Sequence, residues 1–184
     1  EPILAPHNLP GFDRSAVDGY AVHAADTHGA SESLPAYLQL IGEVPMGSAP
    51  RFSLDRNCTA LIHTGGMLPE GADAVVMLEQ TQTSRPGEVE VLKAVAVNEN
   101  ILYSDEDVRA GQTVLTAGTT LRPAEIGGLM GLGLTKIEVT RKPMVGILSS
   151  GDEVIDPGST LMPGQIRDMN SYSLSALVDQ AGGV

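Results

Sequence analysis

The stretch Phe12-Asp13-Arg14-Ser15-Ala16-Val17-Asp18-Gly19-Tyr20-Ala21-Val22 places two carboxylates, a guanidinium, a hydroxyl and a glycine in one short segment. Leu9-Pro10-Gly11 precedes it as a rigid turn, and its apolar end is typical of the start of a strand. Alone, the Asp18-Gly19 pair is also typical of the centre of a hairpin turn, because both residue types accept positive φ. A functional role for this segment therefore depends on whether other loops carry similar chemistry.

Two further loops do carry similar chemistry. Thr64-Gly65-Gly66 follows one apolar run, and Ser150-Gly151-Asp152-Glu153 follows another. Hydroxyl groups and glycine amides donate hydrogen bonds to anionic oxygens, whereas carboxylates act as acid/base groups or bind Mg²⁺. Taken singly, Thr64-Gly65 is also compatible with a plain strand exit, and Asp107 with an aspartate that caps a loop.

The composition limits the classes of partner. The chain has 184 residues, 42% of them hydrophobic and 3% aromatic, with 21 glycines and 12 prolines, which predicts a folded, loop-rich protein. A net charge of −12 argues against nucleic acid and against an anionic membrane surface. No apolar run is long enough for a membrane span and no signal peptide is recognisable, so we expect a cytoplasmic protein. The single cysteine, Cys58, excludes an internal disulfide, and its apolar neighbours favour a buried structural role over a nucleophile.

The first half of the chain predicts a connector and a mostly-β domain. Prolines at positions 2, 6 and 10 leave little room for a helix in the connector, residues 1–12. Residues 13–96 form the mostly-β domain, because short apolar or alternating runs are separated there by turn residues. The predicted strands are 36–41, 59–63, 72–78 and 88–95.

The second half predicts a linker region, 97–142, and the start of a parallel α/β domain, 143–184. In the linker, a turn-rich segment precedes a short helix with Pro123 at its first position, and a strand is expected at 136–141. The apolar run 144–148 predicts a strand buried on both faces, followed by a helix over 172–180 capped by Asn170 or Ser171. The whole is a multi-domain α+β arrangement. We expect the chain to be a fragment, because the rest of the α/β domain is not present.

Five motifs in order resemble those of the molybdopterin molybdenumtransferases, the molybdenum insertases of molybdenum cofactor biosynthesis, whose animal relative is the E domain of gephyrin. The family signature Phe-Asp-Asn-Ser-Ala-Met-Asp-Gly-Tyr-Ala is similar to residues 12–21, with Arg14 for the Asn and Val17 for the Met. The motif Met-Thr-Gly-Ala, followed by Pro-x-Gly-Ala-Asp-Ala-Val-Val, is similar to residues 63–66 and 69–76. The remaining matches are residues 105–111, 149–153 and 164–170.

The resemblance implies an enzyme that takes adenylylated molybdopterin, molybdate and Mg²⁺, and that releases the molybdenum cofactor and AMP. It also implies a homodimer in which subunits share a site. The catalytic residues carried over by motif position are Asp18, Thr64, Asp107 and Glu153. The positions carried over for ligand binding are Arg14, Ser15, Gly65, Asp168 and Asn170. Asp107 and Glu153 are also the implied metal ligands.

An alternative from a different class is a non-catalytic interaction scaffold of the gephyrin type, since relatives of this fold bind partner peptides. The sequence does not distinguish the two. The four histidines show no spacing typical of a metal site, and we expect all four to be non-catalytic; they are His7, His23, His28 and His63.

Overall fold

The computed structural model describes residues 1–184, which divide into two compact units, Glu1–Thr135 and Lys136–Val184. Strands dominate the first unit. Its strands are β1 (Ile3–Leu4), β2 (Arg14–Ser15), β3 (Gly19–Val22), β4 (Ala36–Glu43), β5 (Cys58–Ile62), β6 (Ala74–Met77), β7 (Thr81–Arg85), β8 (Glu88–Val91), β9 (Ile101–Leu102) and β10 (Thr113–Leu115). The helix α1 spans Pro123–Gly131, and short 3₁₀ turns occur at Ala24–Thr27 and Leu78–Gln80.

A six-stranded sheet with the order β6-β3-β5-β4-β8-β7 organises the first unit. Its neighbouring strands are antiparallel except for β4 and β5, which are parallel. The four predicted strands are present, with ends that differ by a few residues. The mostly-β character expected from the sequence is therefore confirmed.

Both faces of the central strands are buried, as the nearly continuous apolar runs predict. Ala21 and Val75 belong to one hydrophobic cluster, whereas their chain neighbours Val22 and Val76 belong to the other. Cys58 is half-buried and packs against the cluster that contains Ala21. Two apolar layers thus hold β3 between β6 and β5. Residues 12–18, which lead into β3, are called the signature loop below.

Close packing dictates the residue at which β3 begins. A Cβ atom added to Gly19 would lie 2.0 Å from the carbonyl oxygen of Val76 on β6. Only glycine permits this approach. The position of the preceding residue, Asp18, is therefore set by the β3–β6 pairing.

The connector and the turn-rich segment of the linker pair with each other. β1 pairs with β10, and β2 pairs with β9, both antiparallel. An isolated bridge between Leu9 and Val108 continues this association. The segment predicted only as polar and turn-rich thus also contains two short strands.

The second unit contains β11 (Val154–Ile155), β12 (Ile166–Arg167) and α2 (Asn170–Gln180). β11 and β12 form a parallel pair of two residues each. Neither α1 nor α2 combines the length and the apolar character that crossing a bilayer requires.

Two sequence predictions for the second half are wrong. Residues 136–141 and 144–148 form no strand, and the side chains of Met144 and Leu148 are 89% and 92% exposed. A strand needs a neighbour to satisfy its backbone groups, and this segment makes only two backbone hydrogen bonds, both with Val184, through Val145 and the preceding Pro143. The expected cap of α2 also differs, because the carboxylate of Asp168 accepts the amide of Ser171 at 3.0 Å.

Candidate functional site

Backbone hydrogen bonds fasten the signature loop to the turn after β5. The amide of Gly65 donates to the carbonyl oxygen of Ser15 at 2.8 Å, and the amide of Ser15 donates to the carbonyl oxygen of Gly66 at 3.0 Å. Ser15 is fully buried, and its hydroxyl donates to the carbonyl oxygen of Val17 at 2.6 Å. Ser15 therefore fixes the two loops, and its hydroxyl is already used within the loop.

The turn itself requires its glycines. The amide of Gly66 donates to the carbonyl oxygen of His63 at 2.8 Å, which closes a four-residue turn. Gly65 has φ of 82°, as the third position of a type II turn requires. A Cβ atom added to Gly66 would lie 2.9 Å from the same carbonyl oxygen of His63. A structural role thus accounts for both glycines, and the open space beside Gly65 leaves its surface accessible.

The two loops bring Asp18 and Thr64 together. Oδ1 of Asp18 accepts the amide of Thr64 at 2.8 Å and lies 3.3 Å from the Thr64 hydroxyl. The Asp18 side chain is 57% exposed. The hydrogen bond from the Thr64 amide, with smaller contributions from the Thr64 hydroxyl and the nearby His63, lowers the pKa of Asp18. The site therefore presents an ionised, accessible carboxylate held by a threonine.

Two residues that sequence reasoning missed adjoin this pair. The Nδ1 atom of His63 lies 3.6 Å from Oδ1 of Asp18, and its Nε2 atom lies 3.1 Å from Oε1 of Glu43. The position of His63 immediately before Thr64 was the available signal. Glu43 gave none, because only the β4–β5 pairing brings it near.

Arg14 lies on β2, within the signature loop. It is paired with Leu102 of β9 and, by an isolated bridge, with Met67. Its Nε atom is buried and has no hydrogen-bond partner. The residue that replaces the family's Asn thus places an unused donor inside the first unit.

Asp107 lies on a different loop, the one that pairs with the connector. Its amide donates to the carbonyl oxygen of Leu9 at 3.0 Å, and its carboxylate makes no hydrogen bond or ion pair. The loop is held instead by an ion pair of 2.9 Å between Asp105 and Arg109. Asp107 is therefore a free carboxylate on a fixed loop.

In the second unit, Asp168 lines an open cavity of about 390 Å³ together with serine and tyrosine side chains. Hydrogen bonds from the hydroxyl and amide of Ser171, and a weaker one from Ser149, lower the pKa of Asp168. Glu153 precedes β11, and its carboxylate folds over Gly151, where an added Cβ atom would lie 2.7 Å from Oε2. Asn170 is the exposed first residue of α2.

Comparison with known families decides the relationship. Residues 1–133 match the model of the MoeA N-terminal region (domain I and II). The chain belongs to the MoeA family. Curated relatives include a molybdopterin molybdenumtransferase of Nostoc sp., 38% identical over 191 residues, and molybdopterin molybdenumtransferase 2 of Mycobacterium tuberculosis, 39% identical over 180 residues. The alignments cover 98% of this chain but 41% and 44% of those relatives.

Solved MoeA structures share the fold. A crystal structure of a molybdopterin biosynthesis MoeA protein from Pyrococcus horikoshii OT3 matches the whole chain with a TM-score of 0.91 and 38% identity. The match covers 48% of that MoeA chain. The chain thus spans less than half the length of the MoeA proteins that it matches, which agrees with the expectation of a fragment.

The described residues do not form a complete metal site. No group of three or more histidine, cysteine or acidic side chains in the chain is arranged to hold a metal ion. The two implied ligands, Asp107 and Glu153, lie in different units. In proteins Mg²⁺ often takes one or two carboxylates and completes its shell with phosphate oxygens and water. Each of these MoeA residues can supply one such ligand, but neither makes a site alone.

Proposed function

We propose that this chain is part of a molybdopterin molybdenumtransferase that inserts molybdenum from molybdate into adenylylated molybdopterin and releases AMP. The observation that carries the proposal is the contact of Asp18 with Thr64, because it joins two of the family's signature motifs at one exposed point. The names of the curated relatives support the same activity.

Asp18 and Thr64 divide the chemistry between them in this proposal. Both substrates are anionic, so a carboxylate is more useful for moving a proton than for binding them. Asp18 is held ionised by the Thr64 amide, so it would take a proton from a thiol of the pterin as the sulfur binds molybdenum and pass it to the molybdate oxygen that leaves as water. The Thr64 hydroxyl would donate its one hydrogen either to Asp18 or to a molybdate or phosphate oxygen. The amide of Gly65 is already bonded to Ser15, and this glycine would instead leave room for that oxygen beside the turn. Arg14 supplies a forked cationic donor nearby.

We assign the second unit to the pterin side of the reaction. In the proposed domain division, residues 1–12 are a connector, 13–96 the β domain, 97–142 a linker and 143–184 the start of an α/β domain. The parallel pair β11–β12 and the following helix support the last assignment. Asp168 binds molybdopterin at the cavity in the second unit, and the exposed Asn170, two residues further along the chain, contributes from outside the cavity lining. Glu153 and Asp107 would each provide one ligand to Mg²⁺, which would neutralise phosphate charge.

The proposed enzyme is a cytoplasmic homodimer with a site shared between subunits. A charge of −12 on these 184 residues disfavours nucleic acid and anionic membrane surfaces as partners. The dimer accounts for residues that act together although they lie in separate units of one chain. Asp18 and Thr64 of one subunit would meet Glu153 of the other.

Genetic rescue tests the proposal. The full-length gene is expressed in a strain lacking its own molybdenum insertase, and the activity of a molybdoenzyme is measured. We expect rescue by the wild-type protein and by the control variant His7→Gln, which changes an exposed residue of the connector. Absence of rescue by the wild-type protein, despite normal expression, would contradict the activity and favour a scaffold.

Replacement of Asp18 tests the catalytic assignment in the same strain. We expect Asp18→Asn to abolish rescue, because an amide cannot accept the proton. The melting temperature should change by no more than about 3 °C, since the side chain is largely exposed and Asn retains one oxygen for the Thr64 amide. Normal rescue by this variant would assign Asp18 a purely structural role in the loop.

A further inference from the structure

The ring of His63 lies between two carboxylates. Nε2 is 3.1 Å from Oε1 of Glu43, and Nδ1 is 3.6 Å from Oδ1 of Asp18. These are the two charged groups within ion-pair distance of the ring. The first is a hydrogen bond, whereas the second is an ion-pair contact at slightly longer range.

The topology explains why these three residues meet. β3, β5 and β4 are adjacent in the six-stranded sheet. Asp18 precedes β3, His63 follows β5, and Glu43 ends β4, opposite Leu61 of β5. The imidazole therefore spans the ends of three neighbouring strands, with β5 in the middle.

The arrangement suits a proton and not a metal ion. The two ring nitrogens face different carboxylates in different directions, so the three side chains do not converge on one point, and no metal cluster is formed. A neutral imidazole donates from one nitrogen only, whereas the protonated ring donates from both. The contacts on both sides are therefore satisfied together only when the ring carries a positive charge.

We propose that His63 is a positioning residue whose protonated ring ties Asp18 to Glu43 across the ends of β3, β5 and β4. The proposal rests on the proposed function in so far as Asp18 acts in molybdenum transfer. In the protonated state Asp18 is oriented by Thr64 and by the imidazolium. After loss of the proton, Thr64 remains, but the link to Glu43 no longer extends to Asp18. The tie is present when the ring is protonated and is lost when the ring is neutral.

Solvent exposure limits the energy of the tie. The side chains of His63, Asp18 and Glu43 are 41%, 57% and 61% exposed. Exposed ion pairs contribute little to stability and are screened by salt. His63 is thus expected to change the orientation of Asp18 and its response to pH, while the overall stability of the fold changes little.

Nuclear magnetic resonance of the 184-residue chain tests the proposal without any substrate. The side-chain carbonyl ¹³C signal of Asp18 and the amide signal of Thr64 are followed from pH 5 to pH 8 in 50 mM and 500 mM salt. We expect a step at both signals in the wild-type chain, weaker at high salt. The step should disappear in His63→Gln and remain in the control His7→Gln.

The Glu43→Gln variant examines the other side of the ring and retains His63. We expect its step at Asp18 to move to lower pH by roughly 0.2 to 0.7 pH unit, as the loss of an exposed ion pair implies. An Asp18 signal without a step in the wild type, a step that persists in His63→Gln, or an unmoved step in Glu43→Gln would each overturn the proposal. If His63→Gln fails to fold, the wild type and Glu43→Gln decide.

A second measurement separates this inference from the proposed function. In the full-length protein the ratio of insertion rates at pH 6 and pH 8 should differ between the wild type and His63→Gln, and an equal ratio would overturn the role in positioning Asp18. If instead Asp18→Asn proves fully active, the proposed catalytic role fails. The resonance steps then still report whether the tie exists.

Discussion

Gly19 shows how one residue can constrain both a strand and a site. The Asp18-Gly19 pair is compatible by sequence with the centre of a hairpin turn, but neither residue has positive φ. Gly19 instead begins β3, where its missing side chain lets the carbonyl oxygen of Val76 approach. The glycine of the signature is therefore required by packing, whereas the side chain of the neighbouring Asp18 is exposed.

Replacement of this glycine gives a prediction at the same scale. Gly19→Ala would force a Cβ atom to 2.0 Å from the oxygen of Val76. We expect a loss of at least about 3 kcal/mol in the free energy of unfolding, measured by urea denaturation, because backbone must move. The control Gly127→Ala, with nothing within 4 Å, should be neutral or stabilising by up to ~1 kcal/mol. Equal midpoints for Gly19→Ala and the wild type would show that β3 and β6 can separate without cost.

Sequence reasoning finds only part of the site at the residue scale. Asp18 and Thr64 were both expected, because each lies in a motif that resembles one of the family's signatures. Their neighbours His63 and Glu43 were not expected as a pair. Glu43 becomes a partner through the parallel register of β4 and β5, which a single sequence does not encode in any local pattern.

The helix α1 illustrates prediction at the scale of an element. Pro123 predicted its start, and it spans Pro123–Gly131. Arg122 precedes it, and its amide donates to Oε2 of Glu125 at 2.9 Å while its guanidinium pairs with the same carboxylate. The guanidinium of Arg122 lowers the pKa of Glu125 to about 2. The local sequence was sufficient to predict where this helix begins, because Arg122 and Glu125 lie within one turn of each other.

The pH dependence of this cap is testable. A carboxylate whose pKa is lower in the folded state contributes stability above its ordinary pKa of 4.5 and loses it as the pH falls towards about 2. Glu125→Gln should therefore lower the melting temperature at pH 7, with a difference from the wild type that shrinks below pH 4.5. The control Glu70→Gln changes an exposed carboxylate without a hydrogen bond or ion pair. A difference that stays constant down to pH 2 would contradict the role of the charge.

Non-local elements were predicted less well. The run 144–148 has the composition of a buried strand, yet composition supplies no neighbour, and its side chains are exposed. The strands β9 and β10 were missed for the opposite reason. They are two and three residues long, in a polar segment, and depend on partners about 90 to 110 residues earlier.

At the scale of the whole molecule, the proposed shared site predicts complementation between subunits. Full-length Asp18→Asn and Glu153→Gln proteins, each inactive, are mixed under conditions that allow subunit exchange. Each mixed dimer should contain one intact site, so activity should return to roughly a quarter of the wild-type value for random exchange of a two-site dimer. If exchange is verified and the mixture remains inactive, each site is built from a single chain.

The chain alone should bind molybdopterin poorly. Its cavity beside Asp168 is open, and the net charge of −12 repels an anionic pterin. We expect calorimetry of the 184-residue chain with molybdopterin, with and without Mg²⁺, to give a Kd above 10 μM, roughly. Micromolar or tighter binding would mean that these residues already hold the pterin. The parts of the relatives that lie outside the matched region would then add little to the affinity.

The pairing of Ile3–Leu4 with Thr113–Leu115 has a consequence for synthesis of the chain on the ribosome. Strand β1 has no partner until Thr113–Leu115 has been translated, about 110 residues later, which takes roughly 6 to 22 s at ordinary rates of elongation. The six-stranded sheet, whose last strand ends at Val91, is complete in sequence before that moment. The connector, which contains Leu9 and Pro10, therefore remains unpaired after the strands of the β domain have been synthesised. This interval is when a protease or a chaperone would meet the unpaired connector.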